Sequence, residues 1–185
     1  MIFNFILQLL LAAPYPATSS SAVVSENAYM PTSWGFELIK NDQKWVRIVP
    51  NEKDPFHLAL LRPEGHSQAR LNIRVDPVAK RSEKVKVSLK SYTEHWIRQY
   101  PKLGIEILEH AYTKINGKPA ARIDSYNTNN KMQIRQYVVW HNDNAVLFAC
   151  ADHRDNFVKS LYSCERVLRF VSWTSDSNSK NEVQK

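Results

Sequence analysis

The segment from residue 105 to residue 151 constrains the fold most, because it contains four strand-like stretches separated by short turns. Asn116-Gly117 is the strongest hairpin signal, since both residue types tolerate the positive φ angles of a tight two-residue turn. Polar turns at residues 127–130 and 141–144 separate the later stretches. Turns this short join antiparallel neighbours. We predict four antiparallel strands at Ile105–Ile115, Ala120–Tyr126, Met132–Trp140 and Ala145–Ala151.

The last of these strands, Ala145–Ala151, is apolar at every position. A strand with one solvated face would alternate apolar and polar residues, so a continuous apolar run indicates burial on both faces. We therefore expect this strand near the centre of the sheet, covered on both sides.

Four shorter strands precede this segment, and the last of them alternates most cleanly. Leu71, Ile73 and Val75 fall on one face, and residues 70, 72 and 74 fall on the other. The alternation predicts one buried face and one polar face. The four predicted strands are Trp34–Ile39, Trp45–Val49, Phe56–Leu61 and Ala69–Asp76.

Two amphipathic helices are predicted, one between the two groups of strands and one after them. Ser88 is a suitable N-cap for the first helix, which Pro101 and Gly104 end, and Asp152 or Asp155 can cap the second. Their apolar stripes recur at three- and four-residue steps. The stripes are Leu89, Tyr92, Trp96, Tyr100 and Leu103 in the first helix and Phe157, Leu161, Cys164, Leu168 and Val171 in the second. Strands, a helix, four strands and a helix predict an α+β domain with an antiparallel sheet.

The N-terminal segment differs from the rest of the chain. Ile2–Ala13 is an apolar run that is too short to span a bilayer but long enough for the apolar region of a signal peptide. No Lys or Arg precedes this run, and a buried N-terminal helix is the alternative. Pro14, Pro16 and a Thr-Ser-rich stretch follow it, which favours a signal peptide over residues 1–22.

Removal of that signal peptide would leave a mature protein that begins at Val23. We therefore expect a periplasmic or secreted protein that does not span a membrane after signal removal. The remaining length suits a single domain, predicted over residues 23–173. Residues 174–185 are polar and lack an apolar period, which predicts a disordered tail.

The order of elements and several short motifs resemble the PsbP/DcrB/Mog-like fold family. The motif W-G-F-E-L begins at Trp34, the helix S-L-K-S-Y-T-E-H-W begins at Ser88, and I-E-I-L-E-H begins at Ile105. Later come N-G-K-P-A-A-R-I, Q-Y-V-V-W, A-V-L-F-A-C-A and F-V-K-S-L-Y-S-C-E-R-V-L-R-F. The match covers Tyr29–Trp173. The resemblance implies an antiparallel β-sheet sandwiched between helices, in α/β/α layers.

Members of that family include exported bacterial proteins of unknown role, photosystem accessory subunits, a Ran-binding protein and secretion chaperones. The matching motifs are signatures of the fold and contain no catalytic residue. None of the partner sites of those members can be placed on this sequence residue by residue.

Both cysteines of the chain lie in predicted core elements. Cys150 is in the all-apolar strand and Cys164 is on the stripe of the last helix, where burial disfavours a nucleophile. Together with His153 they fall one ligand short of a zinc site and form no CxxC motif. Export would place the thiols in an oxidising compartment, which favours a Cys150–Cys164 disulfide over two buried free thiols.

A condition on the chain path accompanies this pairing. If the last helix begins at Asp155, Cys164 lies about 13 Å along the helix axis. The chain must run a similar distance past Cys150 before the helix returns over the strand. Five extended residue steps reach about 16 Å, so a nearly straight stretch over residues 151–154 would allow the bond.

Catalytic and cofactor motifs are missing from the sequence. No G-x-G-x-x-G, G-x-x-x-x-G-K-[ST] or H-E-x-x-H occurs. Asp152 and Asp155 are better explained as helix caps than as a general acid and base. We expect no catalytic residue, no metal and no cofactor. An aromatic ligand cleft stays open as an alternative role for Trp34, Trp45, Trp96, Tyr100, Tyr137, Trp140 and Trp173.

The formal net charge of +7 favours an anionic partner. Basic side chains concentrate at the polar face of the strand near residue 72 and in the connection that follows it. Only Asp76 and Glu83 interrupt the segment, which predicts a positive patch if strand end and connection fold together. A solvated loop without a partner is the alternative. The predicted partner-binding residues are Arg70, Arg74, Lys80, Arg81, Lys84 and Lys86.

These observations lead to a non-catalytic exported domain that docks another component of the cell envelope. Its partner would be a protein or an anionic surface of the envelope, and we expect no nucleic-acid partner. A small-ligand carrier with an aromatic cleft and an enzyme whose residues are scattered over several strands are the alternatives.

Overall fold

The computed structural model describes residues 30–38, 45–48, 56–64, 68–78 and 87–174. The predicted signal peptide, most of the predicted tail and the lysine-rich connection at residues 79–86 lie outside the described residues. The described strands are β1 (Met30–Pro31), β2 (Phe36–Leu38), β3 (Trp45–Ile48), β4 (His57–Pro63), β5 (Arg70–Asp76), β6 (Ile105–Ile115), β7 (Lys118–Asn127), β8 (Met132–His141), β9 (Asn144–His153) and β10 (Val171–Trp173). The helices are α1 (Leu89–Gln99), a 3₁₀ helix (Tyr100–Leu103) and α2 (Phe157–Leu168).

Seven of the strands form one antiparallel sheet in the order β3-β4-β5-β9-β8-β7-β6. The predicted α+β fold class is therefore confirmed. Strand β9 lies between β5 and β8, and all of its residues from Ala145 to Asp152 are buried. The apolar run of this strand thus predicted its central position for the correct physical reason.

Two cores lie on opposite faces of the sheet, because successive side chains of a strand point to opposite sides. Val146, Phe148 and Cys150 of β9 belong to the core that α2 covers, together with Cys164 and Val167 of the helix. The opposite core contains further β9 residues and α1. Its members include Leu147, Ala149, Ala151, Tyr92, Tyr100, Ile123 and Ile134. The sheet is therefore sandwiched between the two helices.

A second, three-stranded sheet has the order β1-β2-β10 and joins the two ends of the described chain. Val171 pairs with Leu38, and Trp173 pairs with Phe36. The prediction that Val171 continues the helical stripe is wrong, because α2 ends at Leu168. A β-branched residue followed two positions later by Trp fits a strand, and pairing with β2 buries Val171.

The two helix starts differ in how well they were predicted. Ser88 caps α1 as expected, and its hydroxyl accepts a hydrogen bond from the Ser91 backbone N–H at 3.1 Å. The predicted cap of α2 is wrong: Asn156 occupies that position. Asp152 still belongs to β9, where it is buried and its Oδ1 accepts from the His153 N–H at 2.7 Å. The strand runs two residues further than predicted, so the helix begins later.

The β6–β7 hairpin turns at Asn116-Gly117, with φ angles of 47° and 85°. Both angles lie in the left-handed region, as a tight hairpin turn requires. The Asn116 side-chain amide donates to the carbonyl of Leu168 at 3.1 Å and to that of Val171 at 2.6 Å. The hairpin tip is thereby fastened to the end of α2 and to β10.

The Cys150 and Cys164 sulfur atoms lie 2.02 Å apart, at disulfide-bonding distance, and their Cα atoms are 6.1 Å apart. Strand β9 continues straight to His153 before α2 begins at Phe157, which supplies the extended path that this pairing needs. None of the described helices is long and apolar enough to cross a membrane.

Candidate functional site

Five charged side chains form a connected chain on the α2 side of the sheet, which we call the ion-pair strip. Its members, in order from the sheet edge to the helix, are Glu109, Arg122, Asp124, Arg135 and Glu165. They come from β6, β7, β8 and α2. The strip therefore ties three neighbouring strands and one helix together through charge.

Arg135 is the centre of the strip. Its Nε and Nη2 donate to the two carboxylate oxygens of Asp124 at 2.6 and 3.0 Å, and its Nη1 donates to Glu165 Oε1 at 3.0 Å. A guanidinium matches a carboxylate in this two-point geometry, which fixes orientation as well as distance. Hydrogen bonding to Asp124 is the main reason that the pKa of Arg135 lies above its ordinary value. Arg135 is thus a permanent positive charge.

Arg122 extends the strip toward the sheet edge. It contacts Glu109 through Nη2, and its Nε lies 3.4 Å from Asp124 Oδ2. The strand register brings these side chains together. Asp124 of β7 lies directly opposite Glu109 of β6 on one side and directly opposite Arg135 of β8 on the other. A β-bulge between Ile107 and Glu109 shifts the register of β6 just before Glu109.

Tyr137 completes the helix end of the strip. Its hydroxyl donates to Glu165 Oε1 at 2.6 Å, the same oxygen that Arg135 contacts. Burial, followed by the nearby Glu165, raises the pKa of Tyr137 above its ordinary value. The phenol therefore stays neutral at physiological pH and acts as a hydrogen-bond donor. Every carboxylate of the strip contacts a guanidinium, which suits fixed charges better than proton transfer.

Two apolar side chains are exposed beside the strip. Val158 is 79% exposed and Tyr162 is 65% exposed. They precede Glu165 on α2 by seven and three residues, so all three share one side of the helix. We call the ion-pair strip together with Val158 and Tyr162 the recognition surface. It combines charges held in place with exposed apolar area on a rigid helix.

The predicted basic patch is only partly visible. Arg70 is half-buried, and Arg74 is only 6% exposed. The expectation that Arg74 faces solvent is wrong, because the face of β5 that was expected to be polar also faces the core around α1. On that face the Tyr92 hydroxyl of α1 donates to Asp76 Oδ2 at 2.9 Å. Lys80, Arg81, Lys84 and Lys86 lie outside the described residues, so their part of the patch stays a prediction.

Several aromatic residues that could have formed a ligand cleft have structural roles instead. Trp45 Nε1 donates to Ser163 Oγ at 2.7 Å, and Trp173 Nε1 donates to the Ile115 carbonyl at 3.1 Å. Tyr100 donates to Gln136 Oε1 at 2.6 Å, with both side chains buried. These hydrogen bonds satisfy the polar ends of rings whose bodies fill the cores.

Titratable residues near the cysteines do not converge. Asp152 is buried, whereas Asp155 is exposed and pairs with His153 at 3.3 Å. Within the part of the chain that the structure describes, no three His, Cys, Asp or Glu side chains come together in a way that could hold a metal ion.

Sequence reasoning missed the ion-pair strip, although one signal for it was present. The turn between β7 and β8 implies that the two strands pair, and counting back from the observed Asn127–Met132 pair places Asp124 opposite Arg135. The turn predicted at residues 127–130 would instead have placed Asp124 opposite Gln133. The contribution of Glu165 could not be found in this way, because the position of a helix over a sheet depends on packing between distant parts of the chain.

The fold resembles that of a solved structure. The solution structure of cyanobacterial PsbP from Synechocystis sp. PCC 6803 superimposes with a TM-score of 0.58 at 12% sequence identity, and the match covers 85% of this chain and 99% of that one. A protein of unknown function from Pseudomonas aeruginosa matches with a TM-score of 0.48 at 10% identity, over 68% of this chain and 94% of that one. No protein-family model and no curated protein sequence matches the chain. The first likeness shows that the chain has a PsbP-like fold.

Proposed function

We propose that this protein is a non-catalytic, exported binding domain that docks another protein of the cell envelope. The same proposal includes that this protein is one of the DcrB-like exported proteins, which its sequence resembles. The observation that carries it is the recognition surface, where a fixed chain of charges borders the exposed Val158 and Tyr162.

Interfaces use this combination in a defined way. Exposed Tyr side chains are frequent energetic anchors of protein–protein contacts, because they bury a large area and lose little conformational entropy. Arg135 is already oriented by the buried Asp124 and by Glu165, so a partner would meet a partly exposed guanidinium that needs no further ordering. A rigid helix and three strands hold the whole surface, which favours recognition over chemistry.

Two features support export. The predicted signal peptide precedes the domain, and the Cys150 and Cys164 sulfurs lie at bonding distance in the core that α2 covers. Disulfides persist in oxidising compartments such as the periplasm. The mature protein should therefore be periplasmic or secreted. Intact-mass measurement on protein from its native host should give a chain starting at Val23, and a cytoplasmic protein that retains Met1 would contradict export.

Docking is tested by site-specific photo-crosslinking in the native host. A photoreactive amino acid at position 162 should capture one defined envelope protein, and the same amino acid at position 158 should capture the same protein. The control position is Lys90 on α1, whose side chain is highly exposed but lies on the other side of the sheet. Illumination of the Lys90 variant should give no such adduct.

A strip variant separates recognition from simple proximity. Glu109→Gln keeps the shape of an exposed side chain while removing the outermost charge of the strip. We expect the adduct at position 162 to weaken, whereas thermal stability should change little, since exposed ion pairs contribute about 0–1 kcal/mol. Equal crosslinking from position 90, or no adduct at positions 158 and 162, would refute docking through this surface.

A further inference from the structure

Asn116-Gly117 is the one Asn-Gly pair in the sequence, and it forms the exposed turn of the β6–β7 hairpin. This dipeptide is chemically labile, because glycine has no side chain to hinder attack of its backbone nitrogen on the preceding side-chain amide. Among the residues that the structure describes, apart from the chain neighbours, none has an atom within 4 Å of the point where a Cβ on Gly117 would lie. The turn is therefore open to water.

The Asn116 side-chain amide is held more closely than the turn itself. Its Nδ2 lies 3.1 Å from the Leu168 carbonyl oxygen, 3.4 Å from that of Arg169 and 2.6 Å from that of Val171. Three acceptors around one end of the side chain identify that end as the NH2 group, which has two protons to donate. We call Asn116 together with these three carbonyl groups the corner clasp.

The corner clasp joins the hairpin to two other elements. The last carbonyl groups of a helix have no partner within the helix, and α2 ends at Leu168. Val171 is the first residue of β10. Next to the clasp, the Trp173 indole N–H donates to the Ile115 carbonyl at 3.1 Å. The hairpin turn thus satisfies the end of α2 and holds β10, and both tasks require a side chain that donates hydrogen bonds.

Deamidation of Asn116 needs no reagent except water. The Gly117 nitrogen bonds to Asn116 Cγ, and Nδ2 leaves as ammonia with the proton that the Gly117 nitrogen loses, which closes a succinimide ring. Water then opens the ring at Cγ to give aspartate, or at the Asn116 main-chain carbonyl carbon to give isoaspartate. Release of Nδ2 breaks its hydrogen bonds to the three carbonyl groups, so the corner clasp opposes the reaction.

The product cannot restore the corner clasp. An ionised carboxylate accepts hydrogen bonds but donates none, so it leaves the three carbonyl groups without their donor. It also places a negative charge at the C-terminal end of α2, where the helix dipole is already negative. Isoaspartate in addition lengthens the main chain by one carbon atom within a tight two-residue turn.

We propose that Asn116 is a deamidation site that the corner clasp controls. While α2 and β10 are docked against the hairpin, the reaction is slow. When this corner opens, the reaction proceeds, and its product keeps the corner from closing again. Chemical modification of an opened state makes the opening irreversible. The modification goes beyond the proposed function, since it concerns how long the fold persists and not what the protein docks.

Control by the clasp is tested with two matched tryptophan variants. Trp173→Phe removes the hydrogen bond to Ile115 next to the clasp, whereas Trp45→Phe removes the hydrogen bond to Ser163 near the middle of α2. Each protein is incubated at mildly alkaline pH, and conversion at position 116 is followed by peptide mass analysis. Asn116 should convert about tenfold or more faster in urea-denatured than in folded wild type. Folded Trp173→Phe should convert faster than folded wild type, and Trp45→Phe should not.

The effect of the product is tested with two variants at position 116. Asn116→Asp introduces the charge of the product, whereas Asn116→Gly removes the amide without adding charge, in a turn whose positive φ angle glycine accepts. Both variants should melt at a lower temperature than the wild type near neutral pH, and Asn116→Asp should melt lowest. At about pH 3, where an ordinary aspartate side chain is protonated, the two variants should differ much less.

Four results would overturn the proposal. Two concern the wild type: a denatured chain that stays intact at Asn116, or a folded protein that converts as fast as the denatured chain. The third is a folded Trp173→Phe variant that converts no faster than Trp45→Phe. The fourth is an Asn116→Asp variant that is as stable as Asn116→Gly at neutral pH. The measurements on the wild type and at position 116 decide the outcome even if circular dichroism shows that Trp173→Phe is unfolded.

Discussion

The two helices cover opposite faces of one sheet, but they are attached to it by different chemistry. Helix α2 meets the sheet at two points: the Cys164 and Cys150 sulfurs lie at bonding distance, and Glu165 is paired with Arg135. Helix α1 and the adjoining 3₁₀ helix are held by packing and by neutral phenol donors, with Tyr92 bonded to Asp76 and Tyr100 bonded to Gln136. The comparison shows how one sheet supports two attachments with different sensitivities to redox state and pH.

Loss of the covalent link should have the largest effect. The pair Cys150→Ala/Cys164→Ala removes a loop constraint over a sequence separation of 14 residues. The chain-entropy relation predicts a loss of about 3 kcal/mol for a loop of this size. Thermal or chemical unfolding measures the change, and a reductant should destabilise the wild type to a similar degree.

The double variant provides the control, because a reductant should have no further effect on it. Two free thiols in wild-type protein isolated from its host, measured by mass spectrometry without reduction, would show that the α2 attachment is not covalent.

The second-largest effect is expected from alkaline pH, which should lower the stability of the protein through the buried tyrosines on the α1 side. Burial raises the pKa of Tyr92 and of Tyr100 above the ordinary value of 10. Above pH 10 the unfolded chain releases these protons while the folded protein retains them, so stability is complete below pH 10 and falls as pH rises. Each such tyrosine contributes about 1.4 kcal/mol per pH unit to the slope.

Denaturant titrations between pH 9 and pH 12 measure this slope. Tyr100→Phe should reduce the slope of stability against pH by the contribution of about one proton. It should also lower the stability at neutral pH, because the buried Gln136 loses its hydrogen-bond donor. Tyr137→Phe, on the α2 side of the sheet, should also reduce this slope, since the pKa of Tyr137 is raised as well. An unchanged slope in Tyr100→Phe would mean that this phenol ionises equally well in the folded protein.

A smaller effect of opposite sign is expected at Thr93 of α1. Its side chain is buried, and its hydroxyl has no hydrogen-bond partner among the described contacts. An unpaired buried hydroxyl costs about 1–3 kcal/mol. Thr93→Val keeps the shape and should raise the stability by about 1 kcal/mol, detected as a higher melting temperature. Thr93→Ser keeps the hydroxyl and removes a methyl group, so it should destabilise. A destabilised valine variant would show that the hydroxyl is satisfied in solution.

The predicted basic connection should affect stability least. Reversal of Lys80, Arg81, Lys84 and Lys86 to Glu should leave the melting temperature nearly unchanged, because exposed charges contribute little. It should abolish salt-sensitive binding to anionic vesicles, measured by co-sedimentation at low and high salt. If the wild type does not bind at low salt, or if the reversed protein binds equally well, these residues form a solvated loop without an anionic partner.

Local patterns predicted much of this fold, because each depends on few residues. The turn at Asn116-Gly117 and the cap at Ser88 need only neighbouring residues, and both occur as predicted. The disulfide geometry also follows from local path lengths, since a straight exit from β9 brings Cys164 back over Cys150.

The misses depend on neighbours that are distant in sequence. Arg74 alternates like a solvent-facing residue, but packing around α1 buries it. Val171 continues a helical period, yet its pairing with Leu38 places it in a strand. Glu165 is an ordinary helix carboxylate until α2 lies over Arg135. In each case tertiary contact overrides a pattern that is satisfied locally.

The small sheet has a consequence for the order in which the molecule is made. Strand β2 lies between β1, which is synthesised just before it, and β10, which is synthesised after almost all of the domain. Thr174 adds a backbone hydrogen bond to Gly35 at 3.0 Å, again between late and early residues. Because the ribosome synthesises the chain from its N terminus, β2 has no strand partner on its β10 side until residues 171–174 emerge. The small sheet is therefore completed late in synthesis, and a chain truncated before β10 would leave Leu38 without its last neighbour.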